Sequence, residues 1–291
     1  MARAGFWAAA VFVGAAAGAA VATAAYVNSH ETVSHSGLCV ATLDGERYHR
    51  TAEAAGNAAL VAAVAARRDI PTYGSTIGVA TAIQESGLRN LDYGDRDSLG
   101  LFQQRPSQGW GTEEEVTDRH HAARAFFWAL LKVNGWEDMR VTDAAQAVQR
   151  SGFPEAYEDH AAEGAAWAAA IRGDSSFPAI DCDLGAASEP GTVKYLEKRL
   201  RADYGKGKYA VTVLGRNDRA VLVGVTAESG KEVDLHAIAN WAVASAEEMS
   251  FSSVRFGDQQ WIREQGIVPA TETTGYDGVL IGIVERIPEE D

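Results

Sequence analysis

The stretch "TAIQESGLRNLDYGDRDSLGLFQQRPSQGWGT", Thr81 to Thr112, joins the end of an apolar segment to a loop rich in Gly, Asp and Gln. From Thr76 to Ser86 the residues are apolar or small nearly all round, with Ile77, Val79, Ala80, Ala82 and Ile83 prominent. That pattern predicts a buried helix rather than an amphipathic one. Ser75 is its expected N-cap and Gly87 its stop. Glu85 stands in the last turn. Apolar surroundings and the negative end of the helix dipole both disfavour a carboxylate there, so its pKa should rise. A carboxylic acid that holds its proton near neutral pH is what glycosidic cleavage asks of a general acid. The bland alternative is a helix-end glutamate paired with Arg89 or Arg96, and composition alone favours it. The following loop shifts the weight. Tyr93, Asp95, Asp97, Ser98, Gln103, Gln104 and Trp110 are the residue types that line carbohydrate clefts, because sugars present flat C–H faces and many hydroxyls.

Working outward, helical grammar recurs on both sides. "TAEAAGNAALVAAVAARR" (51–68) opens on a Thr cap and closes on two arginines. "TDRHHAARAFFWALLKVNG" (117–135), "TDAAQAVQRSG" (142–152) and "PEAYEDHAAEGAAWAAAIRG" (154–173) each start on a cap or a proline and stop at glycine. These helices predict a mainly α domain over 39–182. "GAASEPG" marks a linker within 183–191. Residues 192–291 alternate differently: a helix, the hairpin "KYAVTVLG"–"RND"–"RAVLVGVTA", a second helix, then "SSVRFG" and "GVLIGIVER". This αββαββ order predicts a small two-layer α+β domain of no assigned activity.

The chain opens "MARAGFWAAAVFVGAAAGAAVATAAYVNSHE", uncharged from Ala4 to Tyr26. Residues 1–28 are expected to form a membrane-spanning anchor or a cleaved signal helix, with 29–38 a polar linker. Arg3 before the run, and His30 with Glu31 after it, orient the bulk outside the cytoplasm. The expected location is therefore the cell membrane as a single-pass protein, or secretion if the segment is cleaved. One such segment cannot build a transport path. Cys39 and Cys182 are the only cysteines, and outside the cytoplasm a pair is expected to oxidise. The formal net charge of -14 argues against a nucleic-acid binder. It also means that any polyanion must be gripped locally.

The blocks "QES" and "SLGLFQQRP" resemble the signature of the lysozyme-like, soluble lytic transglycosylases. Together with "AAQAVQRSGFPEAY" they look like an exported actinobacterial group with a single lysozyme-like domain, whose members are often labelled heavy-metal transporters. The resemblance covers roughly 39–182. It implies a mainly α, lysozyme-like domain ahead of the α+β domain, with peptidoglycan glycan strands as the partner. By position it makes Glu85 the catalytic acid and Ser86 its neighbour, with Gly100, Leu101 and Gln103 in the cleft wall. Such enzymes carry a later Ala-Tyr-Asn block whose Tyr lies close to the acid. Here Gln149 and Arg150 occupy the Tyr and Asn places, and Tyr157 is the candidate substitute.

The substrate-binding candidates are Ser86, Tyr93, Asp97, Gln103, Gln104, Gln149 and Tyr157. A hydrolase needs a second carboxylate, for which Asp95 and Asp97 are candidates; turn structure is the competing role for both. A lytic transglycosylase manages with one acid. The expected function is cleavage of peptidoglycan glycosidic bonds. The alternatives are a non-catalytic, membrane-anchored peptidoglycan-binding module and an envelope scaffold whose C-terminal part recruits an unidentified protein. No cofactor or metal is expected: His120, His121 and His160 lack ligand spacing and read as solvated. Phe126, Phe127, Trp128, Leu130 and Trp241 read as core. Trp261 is placed at a surface edge, where "SSVRFGDQQW" offers a ligand site or, as the favoured reading, an ordinary packing residue.

Overall fold

The Asp44-Gly45 pair makes the first turn. Both residues have positive φ, 52° and 84°, which a tight hairpin demands of its two central residues. The turn joins strand β1 (Leu38–Leu43) to β2 (Glu46–Thr51). The structure is a computed structural model that describes residues 35–270 and 275–286. The expected membrane-spanning or signal helix at 1–28 lies outside the described residues. Among those described, no helix is long and apolar enough to cross a membrane.

Helix α1 (Ala52–Ala66) follows directly, capped by the Thr51 hydroxyl, which accepts the Ala54 N–H. Helix α2 (Thr72–Ser86) starts at Pro71, a turn earlier than the expected Ser75 cap. Ser75 is instead buried inside it and bonds the Ala62 carbonyl. Next come α3 (Glu113–Thr117), α4 (Arg119–Leu130), α5 (Val141–Gln149) and α6 (Ala161–Arg172). Small residues let these helices approach closely. A Cβ on Gly164 of α6 would lie 2.8 Å from the Thr76 carbonyl and 3.0 Å from the Ala80 nitrogen of α2. Strand β3 (Ile180–Asp183) then pairs antiparallel with β1, giving a three-stranded sheet in the order β2-β1-β3.

The pairing sets Cys39 opposite Cys182, and the two form a disulfide across 143 residues of sequence. Such a bridge acts mainly by restricting the unfolded chain and contributes about 2–4 kcal/mol. The double Cys39→Ser/Cys182→Ser chain is expected to melt roughly 5–15 °C lower, at about 2–4 °C per kcal/mol for a domain of this size. Calorimetry checks this; an unchanged melting temperature would show that the strand pairing alone holds the sheet.

The second part is α7 (Val193–Tyr204), β4 (Tyr209–Arg216), β5 (Ala220–Ala227), α8 (Glu232–Ala244), α9 (Ala246–Met249), β6 (Phe251–Phe256), β7 (Gln259–Ile262), β8 (Gly266–Pro269) and β9 (Val279–Val284). Its antiparallel sheet has six strands in the order β4-β5-β9-β6-β7-β8.

The expected fold class, a mainly α lysozyme-like domain followed by a separate small two-layer α+β domain, is corrected. The first part carries its own antiparallel sheet, the second holds a six-stranded one, and the chain from Ser36 onward is one compact unit. Buried polar contacts show why. Trp261 is fully buried, an ordinary packing residue and not one at a surface edge, and donates its indole N–H to the Cys182 carbonyl at 3.0 Å. Arg263 donates to Gly185 O at 2.6 Å and to Ala246 O at 3.0 Å, clasping the expected linker. Asp203 of α7, wholly buried, accepts from Arg199, from Trp241 of α8 and from His120 of α4. His120 is therefore a buried-carboxylate partner rather than a solvated helix residue. Burial pushes the Asp203 carboxyl up, but the Arg199 charge and the bonds from His120 and Trp241 outweigh it and hold it below the usual range.

Candidate functional site

Glu85 sits in the last turn of α2, half-buried. The backbone behind it turns sharply. Gly87 and Leu88 both adopt left-handed φ, 64° and 61°, a conformation that costs a non-glycine residue such as Leu88. Two side chains hold the turn: Asn57 of α1 donates to the Leu88 carbonyl at 2.8 Å, and the Ser86 hydroxyl to Leu101 O at 2.8 Å. Ser86 is buried, so its place is behind the acid, fastening the helix end to the loop.

The Tyr157 hydroxyl donates to Glu85 Oε1 at 2.5 Å, and Tyr157 is fully buried. The contact is built by the segment after α5. Thr142 at the start of α5 bonds Pro154 O through its hydroxyl and Glu158 through its N–H, seating residues 154–158 over the end of α2. His160 completes the approach, 3.0 Å from the Gln84 amide oxygen. Burial pushes the His160 pKa down, favouring the neutral ring. The Gln149 amide donates to Phe102 O at 2.7 Å, and its proximity favours the ionised Glu85 carboxyl.

Burial raises the Glu85 pKa, and the Tyr157 hydroxyl and the nearby Gln149 amide lower it by less. The carboxyl therefore keeps its proton to a higher pH than a solvated glutamate. Burial, then the Glu85 charge and the bond to it, raise the Tyr157 phenol, which stays a donor. The expected ion-pair alternative for Glu85 is not formed: Arg89 donates to the Ser86 carbonyl, and Arg96 lies 3.9 Å from Asp95.

The other candidates divide. Tyr93 is 62% exposed on the loop and free to meet a ligand. Gln103, at φ 46°, spends its amide on the carbonyls of Tyr93 and Gly100 and shapes the loop from within. Gln104 points inward, buried, with its amide on Ala122 O, because Leu99 and Gln104 bridge as a tiny ladder. Asp97 accepts the Ser107 N–H at 2.8 Å and is paired with Arg105 at 2.7 Å; Ser107 and Arg105 keep its carboxyl well below the usual range. Asp95 is almost fully exposed. Gly100 packs against the Val116 carbonyl at φ 77°, where no side chain fits. Among the described residues, no group of three His, Cys, Asp or Glu converges to hold a metal.

One sequence expectation about α4 is also corrected. Trp128, read as core, is 58% exposed, and Lys132 Nζ stacks 3.0 Å over its ring. The signal was present in the spacing of Arg124, Trp128 and Lys132, each four residues apart. Compared with protein-family models and with curated proteins, the chain finds no match.

Proposed function

We propose that the chain is a peptidoglycan-cleaving enzyme of the lytic transglycosylase type, with Glu85 as the acid. The observation that carries this reading is the 2.5 Å hydrogen bond from a buried Tyr157 to a half-buried, pKa-raised Glu85. In this reading Tyr157 takes the role of the tyrosine that the resembling enzymes supply from another block. Both loop aspartates are poor candidates for a second carboxylate, one clamped and one solvated, which favours the one-acid route. Glu85 gives its proton to the glycosidic oxygen as the C1–O bond breaks. The C6 hydroxyl of the same sugar attacks C1, closing an anhydro ring, and its proton returns to Glu85. Tyr157 steadies the carboxylate between the two transfers. The disulfide supports an extracytoplasmic location.

Mass spectrometry of purified peptidoglycan incubated with the full chain tests this. Anhydro-muropeptides are expected; reducing-end products would move the assignment to hydrolysis, and no products would sink the enzyme reading. A second reading, a glycan-binding module, draws on the same bond, since a buried phenol needs an acceptor whether or not chemistry follows. Cleavage itself separates the two, and Tyr157→Phe then tests whether the bond tunes the acid. Losing that hydrogen bond removes an effect that lowers the Glu85 pKa, so the alkaline limb of the cleavage profile should move to higher pH. A profile that stays in place would count against Tyr157 tuning the acid.

A further inference from the structure

His121, Arg124, Ala125, Trp128, Ala129 and Lys132 recur at helical spacing and form one outward stripe along α4 and its end. Across from it stand Trp110, which follows the Gln108-Gly109 turn, and Arg68, just past α1. Together they enclose a depression of about 570 Å³, a size suited to a small ligand. Its walls carry three permanent cations, Arg68, Arg124 and Lys132, two indoles and no carboxylate. The chain as a whole is the reverse, with 40 acidic against 26 basic residues.

None of the three cations is paired with a carboxylate among the described residues. Lys132 rests on one face of Trp128 and leaves the indole 58% exposed. The nearby acids are spent elsewhere. Glu115 accepts the Thr112 N–H and Asp118 the His121 N–H as helix caps. Arg124 also borders a neighbouring depression of about 530 Å³, whose edge carries Arg67 and Lys198. There, Arg119 and Arg199 are already neutralised by Glu248 and Asp203.

We infer that this depression binds an acidic saccharide: a sugar ring whose apolar face lies on Trp128 or Trp110 while its carboxylate or phosphate meets Arg124, Lys132 and Arg68. Indoles select ring faces and arginine selects flat anions. An unpaired cationic pocket in an anionic chain supplies the local grip that the overall charge opposes. The inference is independent of any chemistry at Glu85.

Isothermal titration of the full chain tests it with four probes: hyaluronan tetrasaccharide, chitotetraose, a poly(glycerol phosphate) hexamer and phosphatidylglycerol vesicles. The acidic tetrasaccharide is expected to bind at least tenfold tighter than the uncharged one and than the ringless phosphate, and to weaken as salt rises. Trp128→Ala and, separately, Arg124→Gln with Lys132→Gln should each cost at least tenfold. Glu85→Gln should bind as the unaltered chain does, so failure at the acid and failure here are read apart. Equal affinity for charged and neutral tetrasaccharides, binding indifferent to Trp128→Ala, or binding to vesicles alone would each overturn the inference, the last in favour of a membrane-facing patch. Because Trp128 and Lys132 are exposed, these variants should fold, and unchanged melting temperatures verify it.

Discussion

Glu85→Gln is expected to lower glycan cleavage by roughly 10²- to 10⁴-fold, the usual worth of a positioned general acid, while leaving the fold intact. Glutamine cannot deliver the proton, yet its amide oxygen can still accept from the Tyr157 hydroxyl that sits 2.5 Å away. Stability should move in the other direction. The Glu85 pKa is raised in the folded chain, so the native state binds this proton more tightly than the unfolded one. The stability it lends is fully present below the unfolded value, about 4.3, and is lost as pH rises through the folded value. At neutral pH the variant should melt at or above the unaltered chain, and the gap should close towards pH 4. A variant that cleaves normally would remove Glu85 from the chemistry; one that unfolds would make it a structural acceptor only.

Asp203→Ala is expected to be the most damaging single change to the fold, costing about 3–5 kcal/mol, because breaking a buried ion pair strands its partner. Arg199 is 3% exposed and would keep only Glu248 and the Gly56 carbonyl. The Trp241 indole N–H and the His120 ring would lose their acceptor as well. Removing both charges with Arg199→Met and Asp203→Leu should be much milder, since replacing a buried pair by apolar groups is often near neutral. Urea titration of the three chains checks the ordering. If the double variant is as unstable as the single, the network is needed as a whole and not only for charge balance.

Much of the site was legible in the sequence because its signals are local. A helix without a polar face, a glutamate in its final turn and a glycine stop are all contained within Thr76–Gly87, and the structure keeps each of them. The roles of Gln103, Gln104 and Asp97 were not legible, because amide and carboxyl side chains read alike whether they face a ligand or brace a loop; only their partners tell them apart. Tyr157 lies 72 residues from the acid, and no periodicity links the two. In the fold, the Asp-Gly pair at 44–45 was a hairpin signal eclipsed by the helical run behind it. The short strand β7 carries one fully buried tryptophan, Trp261, within the mostly polar run "GDQQWIREQG" (257–266), which reads as a surface loop. The union of the two parts rests on contacts such as His120 to Asp203, 83 residues apart, which no window along the chain can contain.

The position of β9 has a consequence for how the chain is made. The last strand of the described chain, Val279–Val284, lies in the middle of the larger sheet, between β5 and β6. Synthesis from the N-terminus therefore delivers two half-sheets, β4-β5 and β6-β7-β8, each with an open apolar edge, and the piece that joins them arrives last. Until it does, those edges are templates for pairing with other chains. A nascent chain stalled or clipped a few residues short of Val279 would lose the seam of the sheet rather than its hem. No part of the second sheet is then safe from misassembly until Val279–Val284 has been made and has paired with β5 and β6.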